Sequence, residues 1–562
     1  MRERRRSALL AAVIASTLLA LTACVGIPDS GPVNAGLSLS EDSSGSNIAF
    51  NPEGPARGAT QQGILKGFVA SFTSATGGYA VAKQFLSVSF AAKWDPRRSV
   101  QLRTGAPRIS TIDPTTLSYS FDSVATVDST GAYAENSQSF TLPFSFVMES
   151  GQWRISAAPD GIVLADPTFE RIFRQYPVYF FAPDNRYLVP DLRWVASGTA
   201  ATRIVSALLV GPPDWLKGAA FSRFPDGTKL SDAGSVVTLA DGVARVDLSK
   251  EALAASARDR QYMYLQLTES LRSVSSISQV SLSIQGTPVQ NEDLGANAPQ
   301  VDMTVDSQAL VLRNNEFGFY ANSRVAAIAG ISPRVVALNP RDATISSDQQ
   351  NVAVLGSAGV SLVRKSGAVN LIDGRPDLIA PTLDEDGYIW TVPAGSPNAI
   401  IAFDQNGTPH TVSPKLQDGS QMVSLEVSRE GARLLMLLTT PTGPRLMVAA
   451  ILRNQKLEPT GIGPAIVDVS LGNGVAVDAT WVDQWTVGTL ITADGQSRVE
   501  LYAIGGQRTS LSSLIPSRQM VGGNTGKDGL RVVGRDDSSF YTWGGSSWQS
   551  SKVAVDFIAT QR

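Results

Sequence analysis

Chemistry in this chain of 562 residues has few places to start, because it holds one thiol, Cys24, and one imidazole, His410. Cys24 follows Leu21-Thr22-Ala23 at the end of an apolar run from Ala8 to Ala20. With a single His and a single Cys, a zinc site built from those ligands is not available. Any Ser-His-Asp arrangement must use His410. That residue ends Asn406-Gly407-Thr408-Pro409-His410, which reads as a turn entering a strand, and no nearby serine carries a nucleophile-elbow pattern. The expectation is a surface loop histidine.

Three further groups invite a chemical reading. Asp247 could be an acid or base, but a carboxylate at a strand end is more often a helix cap or a solvated residue. Asp384-Glu385-Asp386 could offer oxygen ligands to calcium, yet EF-hand spacing is absent and acids in exposed turns need no ligand. Gly522-Gly523-Asn524-Thr525-Gly526-Lys527 departs from a phosphate loop, since Val521 stands where the first glycine is needed and Asp528 replaces the magnesium-binding Ser or Thr. No catalytic residue, cofactor or metal site is expected.

The elements that position these residues begin with Arg2, Arg4, Arg5 and Arg6 ahead of the apolar run, the layout of a secretory signal peptide over 1–23. The run is roughly 13–16 residues, short of the ~20 that span a bilayer core. Its end resembles the lipobox of bacterial lipoproteins, in which the cysteine is lipidated and becomes the mature N-terminus. That implies a partner in membrane lipid, through acylated Cys24, and an extracytoplasmic location for everything after it. Residues 24–60 are rich in Gly, Ser, Pro and Asn and read as a flexible tether, spanning on the order of 30–35 Å.

Composition bounds the rest. With Cys24 acylated the mature chain can form no internal disulfide, so stability must come from buried cores, and this length calls for several. The formal charge is −3, and loss of residues 1–23 removes a net +3, leaving −6. No basic patch interleaved with aromatics follows, so nucleic acid is not an expected partner.

Ile64, Leu65, Phe68, Val69 and Phe72 fall on one face of a helix that Gly77-Gly78 ends, and Tyr79, Ala82, Phe85, Leu86 and Phe90 predict a second. Alternating strands follow over 117–127, 137–148 and 153–157. This α+β pattern over 61–165 resembles the cone-shaped NTF2-like folds, with Phe121, Phe140, Phe144, Phe146 and Trp153 expected as core or sheet-face residues. Residues 160–167 read as a polar connector. In 169–290, buried strands, a helix stopped by Gly211-Pro212-Pro213, an Asp241-Gly242 hairpin and a long helix from Ala257 resemble the GerMN domain, a binding rather than catalytic unit.

From 300 to 562 the signal is β throughout. Acidic or glycine turns recur before apolar strands about every 40–50 residues, the spacing of β-propeller blades. Trp543 and Trp548 are expected in blade packing or in a binding patch. The fold class is thus multidomain α+β and all-β: an NTF2-like region, a GerMN-like α/β domain and a C-terminal β-propeller.

This order of parts, with Gly26-Ile27-Pro28-Asp29-Ser30-Gly31-Pro32 after the cysteine, resembles the actinobacterial lipoprotein LpqB family. The resemblance implies a non-enzymatic accessory protein. Its implied partner is the extracytoplasmic part of a sensor histidine kinase, MtrB of the MtrA-MtrB two-component system, with effects on cell-wall homeostasis and division. The alternatives are an envelope adaptor that binds cell-wall polymer and an enzyme using the propeller's central pocket on a glycan or peptide.

Overall fold

A computed structural model describes residues 52–562 except 232–236, 291–293 and 296–297. The signal segment, Cys24 and the tether as far as residue 51 lie outside the described residues. The Thr60 side chain accepts a hydrogen bond from Gly63 N at 3.2 Å and starts helix Gln61–Ala70. Ile64, Leu65 and Phe68 of that helix are buried against a five-stranded sheet. Its strands run Gln152–Ala157, Tyr133–Glu149, Thr116–Asp128, Ser99–Asp113 and Ile162–Ala165 in spatial order.

Two expectations change here. The second helix is broken: Gly77, Gly78 and Tyr79 all take positive φ, and the chain continues through Thr76–Lys83 to a separate short helix, Val88–Ala91. Adjacent glycines impose no preference for helix φ, so tertiary packing sets the path. Residues 162–165 are no connector, because Ile162, Val163 and Leu164 are buried in a strand parallel to Ser99–Asp113. A run of three apolar residues is too short to announce a strand by alternation.

The next domain opens with a hairpin of Phe173–Phe181 and Leu188–Ala196. Gly211 stops helix Ala200–Val210 at φ 91°. Asp241 and Gly242 both take positive φ, as a two-residue type I′ hairpin requires, and join Thr238–Ala240 to Val243–Leu248. Helix Ala257–Leu271, capped by Ser256, carries the chain back so that Gln279–Ile284 pairs in parallel with Val243–Leu248. That crossover makes the domain α/β.

Six sheets form the propeller. Strands Asp342–Ile345, Thr382–Leu383, Gln421–Val427, Val475–Trp481 and Ser517–Val521 are the first strands of blades two to six and gather around a central channel. Blade one is completed from far along the chain: Phe557–Ile558 pairs with Ala309–Arg313. Thr560–Gln561 then pairs with Asp342–Ile345 of blade two, so one short stretch stitches two blades together.

Candidate functional site

The propeller and the GerMN-like domain share one continuous hydrophobic core. Val178, Leu208, Val246 and Met263 belong to the same buried cluster as Leu435, Val448, Ala479 and Trp481 of blades four and five. Trp215 and Leu216, on a short 3-10 turn, wedge the junction by packing against strands Gly443–Arg453 and Pro459–Ser470. The Trp215 indole donates to buried Asp191, which pairs with Arg193 at 2.5 Å. Arg193 in turn donates to Thr130 of the first domain at 2.6 Å. Polar and apolar contacts thus run through all three domains.

Asp384-Glu385-Asp386 sits in this junction. Asp384 is fully buried, accepts from the Trp390 indole at 2.9 Å and pairs with Arg453 at 2.6 Å. Asp386 meets Arg186 of the GerMN-like domain at 2.6 Å and Arg453 at 3.3 Å. Glu385 accepts from Tyr187 at 3.1 Å and Ser347 at 3.0 Å. Burial lifts the Glu385 and Asp386 carboxyls above their ordinary range, opposed by these donors and arginines. Cations and hydroxyls already take the oxygens that calcium would need, so the cluster is an interdomain clasp.

Beside it, Arg433 is wholly buried, pairs with Glu430 at 2.7 Å and lies 4.7 Å from the centre of the Trp481 ring. Its guanidinium donates to Gln484 O, and Gln484 accepts from Tyr179 of the GerMN-like domain at 3.3 Å. Arg429 reaches Met303 O and Gly523 O, which fastens the linker before the propeller to the turn at Gly522–Lys527. Asn524 of that turn accepts from Val305 N at 2.7 Å. The glycine-rich segment is a structural tie.

The central channel gathers Asp342, Glu426, Asp478, Gln519 and Arg562 around a cavity of 40 Å³. Asp478 accepts from Ser424 Oγ at 2.7 Å and Met520 N at 2.8 Å, and Asp342 accepts from Gln519 at 3.0 Å. Burial, and then Asp478, push the Asp342 carboxyl up to about 8; burial pushes Asp478 up to about 7. Arg562 lies 3.2 Å from Glu426 Oε2, an ion pair whose alignment falls short of a hydrogen bond. Glu426 also accepts from Thr480 Oγ1 and Trp481 N, each at 3.1 Å. A single water takes about 10–15 Å³ of such space, so the channel admits a few waters but no sugar ring or peptide.

The other singled-out residues resolve locally. His410 lies half-buried on strand Pro409–Val412, its ring edge-on to Tyr388 at 5.4 Å. Asp247 caps no helix; its partly exposed carboxylate accepts from Ser231, Ser283 and Gly286. Burial raises its carboxyl, but those donors together bring it below the ordinary range. Trp543 and Trp548 form an edge-to-face pair at 5.3 Å within blade six. Phe121, Phe144 and Phe146 are core residues, with Phe140 and Trp153 packed at the core's margin. Sequence reasoning missed the channel acids and the arginines of the clasp. They lie far apart in the sequence, and only ring closure or domain docking brings them together.

No helix of the described residues is long and apolar enough to cross a membrane. Residues 54–170 match the family described as Lipoprotein LpqB, N-terminal domain; 177–290 match Sporulation and spore germination; 316–556 match the Lipoprotein LpqB beta-propeller domain. A Lipoprotein LpqB of Bifidobacterium longum is 25% identical, over 84% of this chain and 83% of the relative. That of Cutibacterium acnes is 25% identical over 90% of each. The first GerMN domain of the Bacillus subtilis sporulation protein GerM, a solved structure, is 21% identical, covering 23% of this chain and 93% of that one at a TM-score of 0.18.

Proposed function

We propose, from the premise that this chain belongs to the lipoprotein LpqB family, that it is a lipid-anchored extracytoplasmic binding protein that engages and modulates a sensor histidine kinase of the MtrB type. The observation that carries this reading is the single core running from the GerMN-like domain into blades four and five. Three separately mobile modules would each bring a partner a small surface. Joined in one body, they present a broad one whose loops keep fixed relative positions.

Acylation of Cys24 would hold that body at the membrane and raise its local concentration beside membrane receptors. Such a body alters kinase output only by binding one sensor conformation more tightly than the other. The buried, matched carboxylates of the clasp and the narrow channel favour binding over catalysis.

The test is a covalent crosslink pull-down from membranes of the native organism, comparing Cys24 with Cys24→Ala. Enrichment of a sensor kinase that falls in the variant supports the proposal. Recovery of cell-wall polymer alone replaces it with the adaptor reading.

A further inference from the structure

The first domain carries a cleft of 440 Å³ between helix Gln61–Ala70, strand Ser99–Asp113 and the end of strand Ile162–Ala165. That volume lies within the range of small-molecule sites. Val69, Ile109 and Val163 line its apolar part, while Lys66 and Arg103 supply its charges, with no Asp or Glu among the lining residues.

Arg103 is aimed by its backbone. The pairing of Ser99–Asp113 with Thr116–Asp128 shifts register before Arg103 and again between Thr104 and Arg108. Such bulges bend a strand and re-aim its side chains. The displaced Gly105 carbonyl accepts from Arg103 Nη1, whereas Arg103 Nε is buried with no hydrogen-bond partner. Neither Lys66 nor Arg103 forms an ion pair among the described residues. Two other recesses differ: the one between the first two domains sets Asp128 against Arg203 and Arg97, and the 800 Å³ recess beside Arg186 has Asp184 and Asp259 in its lining, so their cations already have countercharges.

We propose that this cleft binds a small anionic amphiphile, with a phosphate or carboxylate held by Lys66 and Arg103 and a short alkyl segment against Val69, Ile109 and Val163. Two cations without a facing acid favour an anion, and an unpaired buried Nε–H is a donor left without an acceptor. The apolar wall gives the uncharged part of the ligand a place to leave water.

Calorimetric titration of the full-length protein with decyl phosphate below its micelle concentration tests this, with decanol and inorganic phosphate titrated in parallel. Decyl phosphate is expected to bind at least tenfold more tightly than either, and more weakly as salt rises. Arg103→Gln and Lys66→Gln are each expected to lower its affinity about tenfold. Lys66 is on the exposed helix face, so its variant keeps the test valid if Arg103→Gln misfolds. Equal binding of decanol, equal binding of inorganic phosphate, or affinity unchanged in Lys66→Gln overturns the proposal.

Discussion

Arg186 Nη2 stands 2.6 Å from Asp386 Oδ1, so a hairpin of the GerMN-like domain is tied directly to the turn that opens a strand of blade three. Arg453 approaches the same carboxylate from the other side, at 3.3 Å, while holding Asp384 at 2.6 Å. The two arginines differ in exposure, 49% for the Arg186 side chain against 2% for Arg453.

That difference predicts unequal costs. Arg186→Met removes a half-exposed pair and should cost at most about 1 kcal/mol. Arg453→Met leaves Asp384 buried without its cation and should cost about 3–5 kcal/mol. Denaturant midpoints of the two variants check the ranking; equal losses would count against a buried clasp.

Trp215 supplies the apolar half of the same junction. Trp215→Ala should destabilise by about 3–5 kcal/mol. It should also split a shared calorimetric transition into two, since the wedge between the GerMN-like domain and blade four is lost. A single transition that merely moves to lower temperature would mean that the remaining core suffices to couple the domains.

In the channel, the pKa shifts set a pH dependence with a definite sign. Asp342 and Asp478 are raised to about 8 and about 7, far above an unfolded Asp near ~3.9. Between those values the folded protein holds more protons than the unfolded chain. This contribution to stability is therefore full below about pH 4 and fades as pH rises through 7–8, by about 1.4 kcal/mol per pH unit for each extra proton held. Urea midpoints for the propeller should be higher at pH 5.5 than at pH 8.5, and Asp342→Asn should flatten the difference.

Gln519 mimics a strand edge by accepting from Ile558 N and donating to Ile558 O, each at 2.9 Å. Gln519→Leu strands both backbone groups and should cost about 1–3 kcal/mol. Amide exchange over residues 555–562 should rise well before exchange in blade four, which would place the loss at the ring closure.

Much of this architecture is written locally. Asp241-Gly242 specifies its turn, Gly211 its helix stop and the apolar face of Ile64, Leu65 and Phe68 its helix, because each signal lies within a few residues of its effect. The broken helix after Gly77-Gly78 and the strand Ile162–Ala165 depart from the local pattern because tertiary contacts outweigh short-range preference there. The blade count and the channel acids were not legible at all. Asp342 and Asp478 are ordinary strand residues until six blades set them across one channel. The same limit hid the clasp, since Asp386 and Arg186 are 200 residues apart.

Ring closure has a consequence for how such a chain is made. Residues 557–561 complete blades one and two, and the contact between Gln561 and Asp306 spans 255 positions. During synthesis and export the inner edge of Ala309–Arg313 stays unpaired until those residues arrive, an open strand edge of the kind that recruits other chains. A transcript or export event cut short by a dozen residues would thus yield nearly the whole polypeptide with its ring unsealed, a species for quality control rather than a partly active protein.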